Sequence, residues 1–114
     1  MTDLSLPKDI HTVVLGMGDL NGIMRGKRIP ANRWQDVCET GNACCLSLFT
    51  MDMTCDVWDT PLVNFENGFP DFHIMPATKP VPIPWEPGVA ICFGTGLGMD
   101  HKPVPVDPRQ ALVR

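Results

Sequence analysis

The hydrophobic residues of this chain fall into short runs separated by Gly, Pro, Asp and Asn, a pattern that favours strands over long helices. Residues 11–17 (HTVVLGM) form a β-rich run, and residues 23–29 (IMRGKRI) form a second extended segment. A cluster of turn residues lies between them. The two segments therefore predict a β-hairpin that ends at Pro30.

The next segment, residues 31–40 (ANRWQDVCET), predicts a helix. Trp34, Val37 and Cys38 follow the i, i+3, i+4 spacing that places side chains on one helical face. Asn32 is expected to cap the N-terminus. The Gly-Asn pair that follows the segment is expected to end the helix.

Three later apolar runs predict strands: residues 43–51 (ACCLSLFTM), 72–75 (FHIM) and 89–93 (VAICF). With the hairpin and the helix, they give the order β-β-α-β, loop, β, crossing, β. One helix on a small mixed sheet is expected from that order. The predicted fold class is α+β, with the outline of a β-grasp.

The connections differ from one another in composition. Residues 52–71 are rich in acidic and turn residues and predict a long loop, a feature that tends to be functional in compact domains. Residues 78–88 hold four prolines around Trp85 and predict an extended crossing. Residues 94–101 contain three glycines and predict a turn-rich connector.

The pattern of the last eight residues, 107–114, predicts the start of a helix. Asp107 is a capping residue, Pro108 occupies the favoured first helical position, and Gln110 completes the spacing of a capping box. This pattern predicts a β-grasp domain over residues 1–106 and a junction at residues 107–114 where a second domain begins. A short terminal helix is the alternative interpretation.

Composition narrows the class of protein. The 114 residues carry nine basic and thirteen acidic side chains, a formal charge of −4, which argues against a general nucleic-acid binder. The sequence shows neither an 18-residue apolar run nor a signal peptide, so no membrane partner is expected. Five cysteines without a CxxC pair are expected to be reduced thiols in the cytoplasm.

Candidate chemistry is concentrated in two places. The basic cluster of Arg25, Lys27 and Arg28 could hold an anion or an acidic subunit surface, or could be a solvated hairpin. In the acidic loop, Asp52 follows an apolar run directly, and Asp56 lies four residues further on. A carboxylate there could hold a cation or accept a proton. Alternatively, these aspartates stabilise turns. The scattered histidines have no zinc-ligand spacing.

Four segments in order resemble glutamine synthetase-like enzymes. They are residues 19–31 (DLNGIMRGKRIPA), 47–52 (SLFTMD), 70–92 (PDFHIMPATKPVPIPWEPGVAIC) and 104–112 (VPVDPRQAL). The resemblance is to the N-terminal β-grasp domain, and the last segment looks like the junction where the family's catalytic domain begins, so that residues 107–114 would be its start. The pattern around RGKR and LFxxD looks closest to the γ-glutamylpolyamine (γ-glutamylputrescine) synthetase branch. Each segment is weak alone, and the four in order are specific.

The resemblance implies an ATP-dependent ligase that joins glutamate to ammonia or an amine. Family members phosphorylate the γ-carboxylate of glutamate, and the amine then displaces the phosphate. ATP and Mg or Mn would be bound mainly by the catalytic domain, so this chain alone is expected to hold no cofactor and to be inactive. The resemblance also implies a homo-oligomeric ring, expected to be a dodecamer, in which this domain closes the active site of a neighbouring subunit.

By the same resemblance, Asp52 would bind and deprotonate the ammonium ion. Where ammonia-using members carry aspartate-glycine-serine-serine, this chain has Asp52-Met53-Thr54-Cys55-Asp56. Asp56 is therefore the alternative residue for this role, and Trp58 could form one wall of the amine site. Which amine is accepted stays open.

Two other functions remain possible at this point. A stand-alone β-grasp interaction module would use the same fold without catalysis, and a ligase homologue could have lost its activity. A reading frame that continues for several hundred codons beyond residue 114 would favour the ligase, and a stop codon at that point would favour the module. A domain that packs on a neighbour is also expected to expose an apolar face when isolated.

Overall fold

A computed structural model describes residues 2–113 and shows a mixed sheet with one helix packed on it. The strands are β1 (Thr12–Gly18), β2 (Met24–Pro30), β3 (Asn42–Cys45), β4 (Asp71–Pro76), β5 (Val81–Pro82) and β6 (Val89–Gly98). The helices are α1 (Trp34–Thr40) and α2 (Pro108–Val113). The strand order is β2-β1-β6-β4-β3, and β5 pairs with β6. The predicted α+β class is confirmed, and the arrangement is β-grasp-like.

The long strand β6 joins the two halves of the sheet. Its first half runs parallel to β1, with Val13 opposite Ala90. Its second half runs antiparallel to β4, with Ile74 opposite Gly96. The prediction of a turn-rich connector from residue 94 was therefore wrong. A Cβ on Gly94 would clash with the Ile74 side chain, so glycine here permits close strand packing rather than a turn.

The core lies between the sheet and α1. Val13, Leu15 and Met17 alternate along β1, and all three are buried, as the period of a strand requires. They form one cluster with apolar residues of the helix and of the other strands: Ile29, Trp34, Val37, Phe72, Ile74 and Cys92. Each such side chain contributes about 1.5–3 kcal/mol on burial.

Helix α1 confirms the apolar face predicted for it but not its cap. Trp34 and Val37 are buried, and Gly41, at φ +77°, donates its N–H to the Val37 carbonyl at 2.8 Å. Asn32 lies instead within a short 3₁₀ turn, Ala31–Arg33, that leads into the helix. The capping position is therefore Arg33, which makes no side-chain capping bond.

The run at residues 43–51 is not one strand. β3 ends at Cys45, and the chain continues as a 3₁₀ turn, Leu46–Phe49. Leu48 and Phe49 are both buried, and Phe49 packs on Phe72 with 5.0 Å between ring centroids. Neighbouring residues of a strand point to opposite faces, whereas the 3₁₀ turn directs Leu48 and Phe49 into the same core cluster.

The end of the chain is fixed by a buried carboxylate. Asp107 is 1% exposed. Its two carboxylate oxygens accept the N–H of Arg109 at 3.0 Å and that of Gly96 at 2.9 Å. The capping role is confirmed, but the Asp107 N–H donates to the Val104 carbonyl at 3.1 Å rather than taking part in a reciprocal box with Gln110. The boundary predicted at residues 107–114 stays a prediction, and residue 114 lies outside the described residues.

Two further findings concern the described part of the chain. Within residues 2–113, no helix is long and apolar enough to cross a membrane. All five cysteines are free thiols, as the sequence predicts.

Candidate functional site

The start of the long loop folds into a tight hairpin-like turn. Met51 and Val57 form an isolated antiparallel bridge. Between them, the Asp52 N–H donates to the Asp56 carbonyl, and the Cys55 N–H donates to the Asp52 carbonyl, both at 3.0 Å. Cys55 adopts a left-handed conformation with φ +68°. Asp52 is thus held on a defined turn rather than on an extended loop.

The Asp52 carboxylate accepts four hydrogen bonds from its own turn. Oδ1 accepts the Thr54 hydroxyl at 2.7 Å, the Thr54 N–H at 2.9 Å and the Asp56 N–H at 3.1 Å. Oδ2 accepts the Trp58 indole N–H at 3.2 Å. The bond from the Thr54 hydroxyl is the largest cause of the lowered pKa of Asp52, and the other three bonds add to it.

Two roles were predicted for Asp52, holding a cation and accepting a proton, and a carboxylate with a lowered pKa is better suited to the first. It is an anion throughout the neutral range, so it can hold a cation. It is also a weaker base than an ordinary aspartate, which makes it a poorer acceptor of the proton. A carboxylate offers about four acceptor positions. Since Oδ2 takes one bond and Oδ1 takes three, the free capacity of the group lies on Oδ2, beside Trp58.

Arg25 ties this turn to the β1–β2 hairpin. Its guanidinium donates to Asp19 Oδ2 at 2.9 Å, to Cys55 Sγ at 3.1 Å and to the Asp52 carbonyl at 3.3 Å. Asp19 is 3% exposed. Its burial raises its pKa, but the bonds from Ile23, Arg25 and the Asn21 backbone outweigh that effect and leave the pKa lowered. The loop is therefore positioned by a charged group on a strand.

The rest of the basic cluster also bonds within the protein. Lys27 donates to the Ala43 carbonyl at 2.9 Å, and Arg28 pairs with Glu86 through contacts of 2.7 and 3.1 Å. Arg25 thus contacts the Asp52 turn, Lys27 contacts β3, and Arg28 contacts the segment that precedes β6. Lys27 and Arg28 are exposed, as expected for a solvated hairpin, and all three basic side chains also join the hairpin to neighbouring segments.

A cleft of about 640 Å³ lies beside the Asp52 turn. Asp52 and Trp58 both line it, together with Leu20 from the β1–β2 turn and Val106 from the segment before α2. The Trp58 side chain is 61% exposed and separates this cleft from a smaller one of about 170 Å³. The structure therefore brings two of the three predicted site residues together at one opening.

Asp56 occupies a different position from the other two. Its side chain is exposed, and its Oδ2 lies 3.2 Å from the Thr54 hydroxyl. It does not belong to the residues that line the larger cleft. Whether Asp52 or Asp56 acts chemically stays a prediction, and the geometry favours Asp52.

No family model matches the chain. The chain is 34% identical to gamma-glutamylethanolamide synthetase GlnA4 of Streptomyces coelicolor, in an alignment of 110 positions that covers 93% of the chain. It is 26% identical to type-1 glutamine synthetase 2 of Dictyostelium discoideum, in an alignment of 114 positions that covers 98% of the chain. The chain is similar to members of the glutamine synthetase family. It covers 24% and 22% of these two relatives, and the match falls in their N-terminal part.

The fold agrees with this similarity. A solved structure of a GmaS/ADP complex superposes with a TM-score of 0.72 over 93% of this chain and 22% of the other, at 24% sequence identity. At that identity the superposition supports the fold alone. The sequence-based expectation of an N-terminal domain of a glutamine synthetase-like enzyme is confirmed.

Two residues that shape the site were not singled out for this role from the sequence. Thr54 supplies two of the four bonds to Asp52. The Asp-x-Thr spacing is a local signal for such side-chain-to-backbone turns and could have revealed it. Arg25 was noted as a basic residue, but its contact with a turn about thirty residues away has no local signal. Among residues 2–113, no group of three or more His, Cys, Asp or Glu side chains could hold a metal ion.

Proposed function

We propose that this chain is the N-terminal domain of an ATP-dependent ligase that joins the γ-carboxyl group of glutamate to ammonia or an amine. The observation that carries the proposal is the similarity to gamma-glutamylethanolamide synthetase GlnA4, which extends over 93% of the chain and includes the segment that bears Asp52. The γ-glutamylpolyamine branch belongs to this proposal as one possible specificity. The ligase would act in the cytoplasm.

In this proposal, ATP and Mg or Mn would be bound mainly by the catalytic domain, as the resemblance implies. Their contribution would be the activated γ-glutamyl phosphate. The amine nitrogen then bonds to the γ-carbonyl carbon, and the carbon–oxygen bond to phosphate breaks with its electron pair on phosphate. Two protons leave the nitrogen, one before attack and one as the amide forms.

The role proposed for this chain is to bind and orient the acceptor. An amine is protonated at neutral pH, and the anionic Asp52 carboxylate attracts the ammonium ion to the mouth of the cleft. The exposed ring of Trp58 lies beside Oδ2, where it can contact the cation through its face. Asp56 is the second candidate for proton transfer, since it lies on the same turn.

We also propose that the chain acts on a neighbouring subunit in a homo-oligomeric ring, the dodecamer that the resemblance implies. Exposed apolar side chains around the loop support this, since isolated domains leave such surface uncovered. Phe65 is 88% exposed, Met53 70% and Leu20 61%. Contact with another subunit would bury them.

The test is to express the full-length protein that contains this chain and to supply ATP, glutamate and ammonia or one of several amines. The expected result is equimolar release of phosphate and formation of a γ-glutamyl amide, identified by mass spectrometry. Absence of ATP-dependent amide with ammonia and with every amine tested would contradict the proposed function and favour an interaction module.

A further inference from the structure

The sheet has two apolar faces, and α1 packs on one of them. Val13 and Leu15 of β1 belong to the core under α1, so Val14 between them points to the opposite side of the sheet. Ile91 of β6 lies opposite Val14 in the parallel register, and Phe93, two residues further along β6, points the same way. The side of the sheet that faces away from α1 is therefore also lined by apolar residues.

This second face extends onto both neighbouring strands. Val81 of β5 pairs with Ile91, and Met24 of β2 lies where a Cβ on Gly16 would meet it. Val81, Met24 and Phe93 are all exposed. A parallel pair such as β1 and β6 is usually covered on both faces, and exposed apolar surface of this kind marks a contact. The outer face comprises Val14, Met24, Val81, Ile91 and Phe93.

The two cations at the border of the outer face are bonded within the protein. Arg28 lies opposite Val14 and pairs with Glu86 through contacts of 2.7 and 3.1 Å. Arg109 donates its Nε–H to the Thr95 hydroxyl at 3.0 Å. The outer face thus offers hydrocarbon rather than unpaired charge, so it suits an apolar protein surface.

Helix α2 brings the chain onto the outer face. It contacts both β1 and β6, and the Asp107 carboxylate fixes its start by accepting the Gly96 N–H at 2.9 Å. Leu112 and Phe93 line one groove of about 180 Å³ between the helix and the sheet. Leu112 is nevertheless 87% exposed, and a helix this short is stable only when it is packed. Both α2 and the outer face therefore lack a covering layer in this chain.

The relatives indicate what can supply that layer. The chain covers 24% and 22% of them, and the match falls in their N-terminal part. We propose that the outer face is the docking surface for the part of the same polypeptide that follows α2. This proposal rests on the part of the proposed function that makes this chain the N-terminal domain of a longer protein. It concerns a different surface from the Asp52 turn, for which a neighbouring subunit is proposed.

The test places a photo-crosslinking residue on the outer face of the full-length protein. p-Benzoyl-phenylalanine in place of Phe93 keeps an aromatic ring at that position, so folding should be retained. After irradiation of the purified protein, a denaturing gel separates products within one chain from products between chains, and mass spectrometry identifies the joined peptides. We expect a product of monomer mass in which residue 93 is joined to a residue beyond 114.

The same probe in place of Phe65 is the comparison. Phe65 is 88% exposed on the long loop, where the proposed function places a neighbouring subunit. We expect a product of dimer mass from this position. The two positions therefore report separately on contacts within the chain and between chains.

Phe93→Asp in the full-length protein gives a second readout. It should raise the amide hydrogen exchange rate of the segment that follows residue 114 by about tenfold or more, since loss of a buried phenylalanine changes an opening equilibrium by at least that factor. The matched control is Met99→Asp, because Met99 is exposed and lies outside the outer face. It should leave the exchange rate unchanged.

The outcomes separate this proposal from the ligase function. A product of dimer mass from residue 93 would assign the outer face to a neighbouring subunit and overturn the proposal. No product from residue 93, or equal exchange in Phe93→Asp and Met99→Asp, would show that the segment after α2 does not cover this face. Failure to form an amide with ammonia and with every amine would overturn the ligase function and leave the contact within the chain in place.

Discussion

Replacing Asp107 with alanine should destabilise the domain by about 1.5–5 kcal/mol. The carboxylate is 1% exposed and accepts one N–H from each of two elements, Gly96 of β6 and Arg109 at the start of α2. Loss of a helix cap costs about 0.5–2 kcal/mol. The Gly96 N–H would be left without its acceptor in a buried place, which costs about 1–3 kcal/mol more.

Urea unfolding of the chain measures this loss. A domain of this size has a total stability of about 5–15 kcal/mol, so the expected shift in the midpoint is large. Asp107→Asn retains one acceptor oxygen and should lose less than the alanine variant. The matched control is Asp100→Ala, which removes one exposed bond to the Lys102 N–H and should change stability by about 0.5 kcal/mol or less.

Equal stability of Asp107→Ala and Asp100→Ala would refute the reasoning. It would mean that α2 is not fixed to β6 through this carboxylate. A second readout concerns the cleft, since Val106 precedes the cap and lines the cleft wall. In the full-length enzyme, Asp107→Ala should therefore raise KM for the amine more than KM for glutamate.

The remaining predictions concern the two carboxylates with lowered pKa. Arg25→Met should lower the urea midpoint more than Arg28→Met, since Asp19 is buried and the Arg28 pair is exposed. Because the pKa of Asp19 is lowered in the folded state, its carboxylate stabilises the fold at pH values above its unfolded pKa of about 3.9. This stabilisation is lost as the pH falls through the folded pKa, so Arg25→Met should lower stability more at pH 7 than near pH 3. An effect independent of pH would contradict this. Thr54→Val removes the hydroxyl that most lowers the pKa of Asp52, so the acidic limb of kcat/KM for the amine should move to higher pH in the full-length enzyme. An unmoved limb would show that Asp52 does not set it.

The local sequence pattern correctly predicted those elements whose buried face follows a simple periodicity. Alternating apolar residues identified β1, and the spacing of Trp34 and Val37 identified the buried face of α1. Local pattern failed where tertiary packing overrode it. Leu48 and Phe49 are both buried in a 3₁₀ turn, where the apolar run predicted a strand. Gly94 lies in a strand that packs closely on Ile74, where the glycines predicted a turn.

The sequence indicated candidate site residues but not the electrostatics around them. The position of Asp52 after an apolar run and the acidic loop indicated where chemistry could occur. The lowered pKa of Asp52 depends on Thr54 and Trp58 folding back onto it. The hydrogen bond from Arg25 to the Asp52 carbonyl joins segments that are distant in the sequence, and a single sequence carries no signal for such a contact.

Asp52 is the residue that we propose to bind the acceptor amine of a glutamate ligase. The most direct measurement is kcat/KM for the amine in full-length Asp52→Asn, with Asp56→Asn for comparison and Glu66→Gln as a control, since Glu66 is exposed on the same loop. We expect a loss of about 10²–10³-fold in Asp52→Asn and near-normal activity in Glu66→Gln. Full activity in Asp52→Asn, with the loss found in Asp56→Asn instead, would contradict the assignment.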